Sequence, residues 1–369
     1  MSRLRLAPLV PILLGGSLST LQGQNVSAKA QLWLGVTNAS DPAPGSSAYG
    51  ETLGFIPTLS LAGESGRLAG LDAELAIQGT ATLDGFFGAG AGGVQRSLKP
   101  YRAWGRYVAD NFDLRLGLQK LSFGPGRFLR TLIWFDTLDL RDPTGQTGGV
   151  TALRLRYYPG SQLALWGWLL AADRPDIPSP GGRAEYTFGL GELALTYDYR
   201  RASDHEYASR PFLSPLVDEE RIAADVRIDW HIGFWAEAAS IRSPALDGES
   251  QLAMLGADYT LGWGQGLYVM AEHLWTRVQL PALGPEQVRQ VSVALASYPL
   301  GMTDQLLAIG GYDWHAEQTF AFMQWLRSYD YLSLYLMFFA YPDGAGDTGS
   351  SSAVAVSGNG AQFMIILNY

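Results

Sequence analysis

Basic residues are concentrated in one part of the chain, and the charged side chains of this segment could act on a solute. Between Arg96 and Arg156, eleven basic residues stand against five acidic ones, although the whole chain of 369 residues has a formal net charge of −9. Opposed charges held by low-dielectric walls order polar solutes and select among ions. The basic candidates, here called the basic wall, are Arg102, Arg106, Arg115, Arg154 and Arg156; the acidic candidates are Asp136, Asp139 and Asp142.

Residues that could catalyse a reaction or bind a metal are sparse. The chain has four histidines, none close enough to another for a helical pair of ligands, and no cysteine to complete a site. His205 and Ser209 have the residue types of a base and a nucleophile, but no oxyanion-hole or nucleophile-elbow motif accompanies them. We therefore expect no catalytic residue, no metal site and no cofactor.

The composition excludes several classes of protein. The chain is 47% hydrophobic and 12% aromatic but only 17% charged, with a mean hydropathy of +0.02. So many aromatic residues exclude a disordered chain, and the longest apolar run beyond the N-terminus, Leu334 to Tyr341, is too short for a membrane-spanning helix. The absence of cysteine excludes disulfides, and a pI near 5.0 argues against nucleic acid as a partner.

The first residues have the three-part pattern of a secretory signal. Arg3 and Arg5 precede a short apolar stretch, Leu6 to Leu14, and small and polar residues follow as far as Gly23. We predict that residues 1–23 are a signal peptide and that the mature chain is 24–369.

From Val26 onward, apolar and polar residues alternate with period two over segments of about ten residues, the length of a tilted strand that crosses a bilayer. In the segment Ile222 to Trp230, for example, the charged side chains share one face and the apolar ones share the other. We predict eighteen strands, with sixteen as the alternative. The predicted strands are 26–37, 52–63, 67–82, 97–109, 112–124, 149–158, 161–171, 182–189, 191–201, 221–230, 232–242, 250–260, 264–277, 287–298, 303–312, 315–326, 329–341 and 358–369.

The connections between these strands alternate between short and mostly longer ones, and aromatic residues cluster beside the short ones. This pattern is typical of an all-β protein, a transmembrane antiparallel β-barrel with short periplasmic turns and long extracellular loops. The aromatic residues beside the short turns or at the C-terminal end include Tyr107, Trp230, Trp263, Tyr329 and Tyr369.

The last ten residues resemble the C-terminal strand by which Gram-negative outer-membrane barrels are recognised by their assembly machinery. Phe363, Ile365, Leu367 and Tyr369 share one face of this strand, and the chain ends on an aromatic residue. The resemblance implies a location in the bacterial outer membrane. It also implies contact with outer-membrane lipid, lipopolysaccharide and the barrel-assembly machinery.

A second resemblance covers about thirty residues. The segment Arg115 to Arg127, with Phe135 to Asp139 and Asp142-Pro143, resembles the strand-and-loop signature of porin-like outer-membrane channels of the alginate-export kind. It implies a monomeric or homotrimeric diffusion channel. Leu118 stands where such sequences often carry a second basic residue, so the family's substrate is not carried over.

The predicted interior is polar. Period two places Asp198 and Arg200 of the ninth strand and Asp225 and Arg227 of the tenth on inward faces, and an open lumen is expected to need such lining on every strand. In general porins the third outer loop folds into the lumen with its carboxylates toward a cluster of arginines. The similar loop order implies that the loop 125–148 does the same here, with Asp136, Asp139 and Asp142 opposing the basic wall at the narrowest point.

These patterns predict a channel for passive diffusion of small hydrophilic solutes, among them anions or saccharides. One alternative is a plugged barrel that binds surface polysaccharide. A lipid hydrolase that uses Ser209 is a weaker alternative. An importer of hydrophobic compounds is weaker still, because the first strand follows the signal at once and leaves no N-terminal hatch.

Overall fold

The computed structural model describes residues 24–40, 48–90, 92–171, 178–202, 217–281, 284–342 and 358–369. The predicted signal peptide, 1–23, and the pair His205 and Ser209 lie outside these ranges.

Eighteen antiparallel strands form one closed barrel within the described residues, which confirms the predicted fold and strand number. Each strand pairs with the next along the chain, and β1 closes the barrel by pairing with β18. The strands are β1 (Gln24–Ala39), β2 (Tyr49–Gly63), β3 (Leu71–Asp84), β4 (Val94–Val108), β5 (Phe112–Gln119), β6 (Val150–Tyr157), β7 (Leu163–Leu170), β8 (Ser179–Phe188), β9 (Gly191–Arg200), β10 (Glu219–Asp229), β11 (Gly233–Ser243), β12 (Gly248–Leu261), β13 (Leu267–Gln279), β14 (Gln287–Pro299), β15 (Asp304–Asp313), β16 (Gln318–Ser328), β17 (Leu332–Ala340) and β18 (Asn359–Asn368).

Helical structure in these ranges is limited to two short 3-10 turns, Gly66–Leu68 and Phe86–Gly88. In the part of the chain that the structure describes, no helix has the length and apolar character needed to cross a membrane.

The two ends of the barrel differ. Short connections such as 109–111, 189–190 and 230–232 lie at one end, the short-turn end, and the longer connections lie at the other, the long-loop end. Large aromatic side chains are exposed at the short-turn end, as in the interfacial girdle of a membrane barrel. They include Tyr107, Trp230, Trp263, Tyr329, Tyr331 and Tyr369.

Period-two alternation sets the faces of the strands. On β9, Asp198 is fully buried on the inward face, whereas Leu193 and Leu195 are exposed on the outer surface. On β18, Phe363 faces outward and its neighbour Met364 faces inward. An exposed apolar outer face and a charged inner one are what a strand between lipid and water requires.

The expectation of polar lining on every strand is wrong for half of the barrel. The inward faces of β11 to β18 and of β1 are largely apolar and buried, because Phe128 and Leu129, from the segment that follows β5, pack against this wall from within. The inward apolar residues are Trp33, Trp235, Met254, Met270, Val293, Leu295, Ile309, Phe322, Met337, Phe339, Met364 and Ile366.

Three inward tryptophans lie flat across a glycine of the neighbouring strand. Trp33 is the cross-strand partner of Gly54, and Trp168 and Trp235 are paired in the same way with glycines of β8 and β12. A Cβ added to Gly54 would lie 1.8 Å from the Trp33 ring. The glycines therefore allow these rings to lie against the wall instead of projecting into the lumen.

We expect Gly54→Ala to destabilise the barrel by about 1–3 kcal/mol, the usual cost of overpacking a buried site. Gly310→Ala on β15 is the matched control, because a Cβ there would meet nothing within 4 Å. The measurement is the temperature at which each variant loses the compact electrophoretic mobility of the folded barrel. Equal temperatures for the two variants would contradict this account of the Trp33 ring.

Candidate functional site

The segment 120–149, here called the inserted loop, lies inside the barrel. Strand β5 ends at Gln119, before the predicted end at residue 124, because Leu121 and Phe123 continue the period-two pattern as buried residues of the loop. Trp134 and Phe135 are at most 1% exposed and pack with Phe123 against the inward wall of β6, β7 and β10 to β12.

A carboxylate on β11 holds the middle of the inserted loop. Glu237 accepts hydrogen bonds from the backbone N–H groups of Gly126 and Thr131, both at 2.7 Å, and from the Thr131 hydroxyl at 2.8 Å. The Leu132 N–H donates to the same carboxylate at 3.3 Å. An inward glutamate therefore satisfies backbone donors that a loop buried in the barrel cannot offer to water.

A second carboxylate, on β13, holds the residues between these contacts. Glu272 accepts hydrogen bonds from the backbone N–H groups of Arg127 at 2.7 Å, Phe128 at 2.9 Å and Leu129 at 2.6 Å. The indole N–H of Trp235 donates to it at 3.0 Å. Residues 126–132 are therefore fixed to the wall by two glutamates on alternate strands.

The second half of the inserted loop is bonded to other parts of the wall. Arg141 donates to the Tyr341 hydroxyl at 3.3 Å, and Gln31 of β1 donates to the Thr144 carbonyl at 3.2 Å. Arg102 of β4 donates to the Thr147 carbonyl at 2.9 Å. The loop is thus attached to walls on several sides of the lumen.

Two of the predicted pore carboxylates bond within the loop itself. Asp136 accepts a hydrogen bond from Arg130 at 2.9 Å, and Asp139 accepts one from Arg141 at 2.7 Å. Among the described residues, neither Asp136 nor Asp139 is bonded to the basic wall. Asp142 accepts hydrogen bonds from the backbone N–H and the hydroxyl of Thr144.

The Asp136 and Arg130 side chains form a buried ion pair that stays charged. Burial raises the pKa of the Asp136 carboxyl, but the hydrogen bonds and positive charge of Arg130 outweigh it and hold the pKa below its ordinary value. Burial likewise lowers the pKa of Arg130, but its hydrogen bonds to Asp136 and the negative charge of that carboxylate outweigh this effect, so that its pKa is raised. Asp136 is therefore an anchor of the loop.

The basic wall lies on the inward faces of three consecutive strands, β4, β5 and β6. Its main carboxylate partner is Asp113 of β5, which is not among the predicted pore residues. Arg106 and Arg154 each lie 3.1 Å from an Asp113 oxygen, and Arg106 also lies 3.3 Å from Asp72. Period two could have indicated Asp113, since it shares the inward face of β5 with Arg115.

Two of the guanidinium groups of the basic wall that stack on aromatic rings belong to arginines that remain accessible from the lumen. Arg115 lies 4.1 Å from the centroid of Trp104, and Arg156 lies 3.7 Å from that of Trp166. Both are partly exposed. Because a stacked guanidinium keeps N–H groups at its edge, these two arginines can still donate to an anion in the lumen.

Acidic residues lie on the next part of the wall. A cavity of about 640 Å³, the β8–β10 cavity, opens below residues 122–125 of the inserted loop toward the short-turn end. Glu185, Glu192, Asp225 and Asp229 line it, together with Arg183 and Arg227. These carboxylates lie next to the basic wall, and Glu185 lies 3.7 Å from Arg156. The opposition of Asp136, Asp139 and Asp142 to the basic wall stays a prediction. Period two predicts the inward placement of Asp225, but no pattern in the sequence indicates a role for it in selection.

Sequence reasoning also missed Arg127. Its backbone is fixed by Glu272, yet its side chain is exposed, unlike the buried Arg130 and Arg141 of the same loop. Arg127 thus adds positive charge on the side of the lumen away from the basic wall.

Within the described ranges, no group of three or more His, Asp or Glu side chains is arranged to hold a metal ion. The chemistry that the site supports is electrostatic, through charged groups of both signs around a water-accessible space.

The comparisons with known proteins concern the fold. No protein-family model matches the sequence, and no curated protein matches it. The fold is similar to OccAB1 of Acinetobacter baumannii (TM-score 0.58, 9% identity, 96% of this chain and 98% of that chain). It is also similar to a BenF-like porin from Pseudomonas fluorescens Pf-5 (TM-score 0.58, 10% identity, 93% of this chain and 98% of that chain). A third similar structure is OccK2 of Pseudomonas aeruginosa (TM-score 0.55, 12% identity, 94% of this chain and 97% of that chain). The chain therefore has the β-barrel fold of porins.

Proposed function

We propose that the protein is an outer-membrane channel through which small hydrophilic solutes, anions among them, diffuse passively. The observation that carries the proposal is the partly exposed pair Arg115 and Arg156, held on the lumenal wall beside the acidic β8–β10 cavity. Charges of both signs in a confined lumen raise the local concentration of ions and orient polar solutes.

The proposed location rests on the outer surface of the barrel. The outward faces expose leucines and aromatic side chains to a degree that water would disfavour, and the aromatic ring at the short-turn end suits a membrane interface. We propose that outer-membrane lipid and lipopolysaccharide cover this surface. The C-terminal residues Phe363, Ile365, Leu367 and Tyr369 would be read by the barrel-assembly machinery, and the protein would act as a monomer or a homotrimer.

The inserted loop favours a second candidate function. Because it is bonded to β1, β4, β11, β13 and the end of β17, the barrel could instead be a plugged one that binds surface polysaccharide. Single-channel recording in planar bilayers separates the two. Discrete open-channel steps support diffusion, and a trace without steps supports binding.

We expect the triple variant Arg115→Ala, Arg154→Ala and Arg156→Ala to lose preference for anions. A unit charge about 8 Å from a permeating ion contributes roughly 0.5 kcal/mol in water, about a twofold change in occupancy. Because each charge favours anions and disfavours cations by this factor, removal of three charges should lower the anion-to-cation permeability ratio by more than about tenfold. The measurement is the reversal potential in a salt gradient.

The control for this experiment is Arg277→Ala, on the outward face of β13. Its reversal potential should equal that of the parent protein. An unchanged permeability ratio in the triple variant would remove these three arginines from the selective part of the channel.

A further inference from the structure

Two residues of opposite charge face each other across adjacent strands without bonding. Glu192 of β9 and Arg227 of β10 are direct cross-strand partners on the inward faces, and both line the β8–β10 cavity. The Nε of Arg227 donates to Asp229 at 2.9 Å, which leaves its Nη groups without a partner in the described residues. Glu192 accepts no hydrogen bond from any residue in the same ranges.

The inner charged groups of this cavity are paired with one another. Arg183 donates through Nε to Glu185 at 2.7 Å and through Nη2 to Asp225 at 3.0 Å, and it is almost completely buried. Glu185 also accepts a hydrogen bond from the Trp166 indole. Among the carboxylates that line the cavity, Glu192 is therefore the one that accepts no hydrogen bond from the described residues, and it lies beside the Nη groups of Arg227.

We propose that the β8–β10 cavity is a binding site for zwitterionic solutes, with an ammonium group on Glu192 and a carboxylate on Arg227. Directly opposed residues of an antiparallel pair have Cβ atoms about 5 Å apart, so their ends can contact two charged groups on one small molecule. A solute with only one of these charges can bind either Glu192 or Arg227, and the other side chain stays hydrated.

The size and lining of the cavity fit a zwitterion that carries an apolar side chain. A volume of about 640 Å³ exceeds what the charged end of such a molecule occupies. Trp166 also lines the cavity, and its ring can cover an apolar or aromatic substituent. The site rests on the proposed channel function in one respect, since solutes reach it through the lumen.

The experiment compares three blockers of the same shape in planar bilayers: L-phenylalanine, 3-phenylpropionate and phenethylamine. In the parent protein, L-phenylalanine should block the current with a residence time about tenfold longer than that of either other compound, because it makes one more charge-assisted hydrogen bond. With Glu192→Gln its residence time should fall to that of 3-phenylpropionate. With Arg227→Gln it should fall to that of phenethylamine.

Arg242→Gln, on the outward face of β11, is the matched control and should leave all three residence times unchanged. Equal residence times for the three compounds in the parent protein, or no effect of Glu192→Gln, would overturn the zwitterion site and leave the channel function intact. If the parent protein passes no current, the channel function fails. The site is then tested by titration calorimetry of the folded barrel with L-phenylalanine, where binding weakened by Glu192→Gln supports it and no binding overturns it.

Discussion

Replacement of Glu237 and Glu272 together by alanine is expected to increase the single-channel conductance at least about twofold. The two carboxylates accept six backbone N–H groups of the inserted loop, together with the Thr131 hydroxyl and the Trp235 indole. A buried donor left without an acceptor costs about 1–3 kcal/mol. The summed free-energy cost of several unpaired donors exceeds the stabilisation from the apolar contacts of residues 126–132. This part of the loop should therefore leave the wall, which widens the lumen.

The conductance is measured in symmetric KCl for the double variant and for each single variant. Glu249→Ala is the control, because Glu249 lies on the outward face of β12 and bonds to Arg242 instead of the loop. The single variants should show intermediate conductance and noisier current. A double variant with the conductance of the parent protein would mean that the packing of Trp134 and Phe135 holds the loop without the two carboxylates.

The second large effect is expected from Asp136→Ala. This change leaves the Arg130 guanidinium buried without its partner, a situation that costs about 3–5 kcal/mol. The least costly response is for the loop to withdraw so that Arg130 reaches water. Trypsin is too large to enter the barrel, so cleavage after Arg127 or Arg130 should appear in the variant and be absent from the parent protein.

The pair substitution Arg130→Leu with Asp136→Leu should restore resistance to trypsin, because two apolar side chains leave no buried charge unpaired. Asp229→Ala is the control for loss of an exposed ion pair, with a side chain 60% exposed, and should remain resistant. A different result, in which Asp136→Ala alters ion selectivity but gives no cleavage, would return Asp136 to the role of a pore carboxylate facing the basic wall.

The strands and their faces could be predicted from the sequence because each strand has its own local signal. Val226 and Ile228 alternate with Asp225 and Arg227, and this pattern alone defines which face meets lipid. The same rule failed at the end of β5. Phe123 is apolar because it packs inside the lumen against Trp134 and Phe135 of the inserted loop. The period-two pattern does not show whether an apolar side chain is buried against such a loop or faces lipid.

The candidate site was only partly predictable. The inward placement of Arg115 and Arg156 follows from period two, but the position of the loop carboxylates relative to the basic wall depends on the path of the inserted loop. That path is set by Glu237 and Glu272, which lie more than a hundred residues further along the chain. No pattern within the loop encodes so distant a contact.

The same distance constrains the order of assembly. The Gly126 N–H and its acceptor Glu237 on β11 are 111 positions apart in the sequence, and the Arg127 N–H and its acceptor Glu272 on β13 are 145 positions apart. Such contacts require closure of long stretches of chain before they gain any hydrogen bond. The bonds to Glu237 and Glu272 can form only once β11 and β13 are in place, whereas the contacts of the loop with β4, β6 and β7 involve strands that precede them in the chain. The position of residues 126–132 therefore depends on the second half of the barrel, and the remainder of the inserted loop also has partners in the first half.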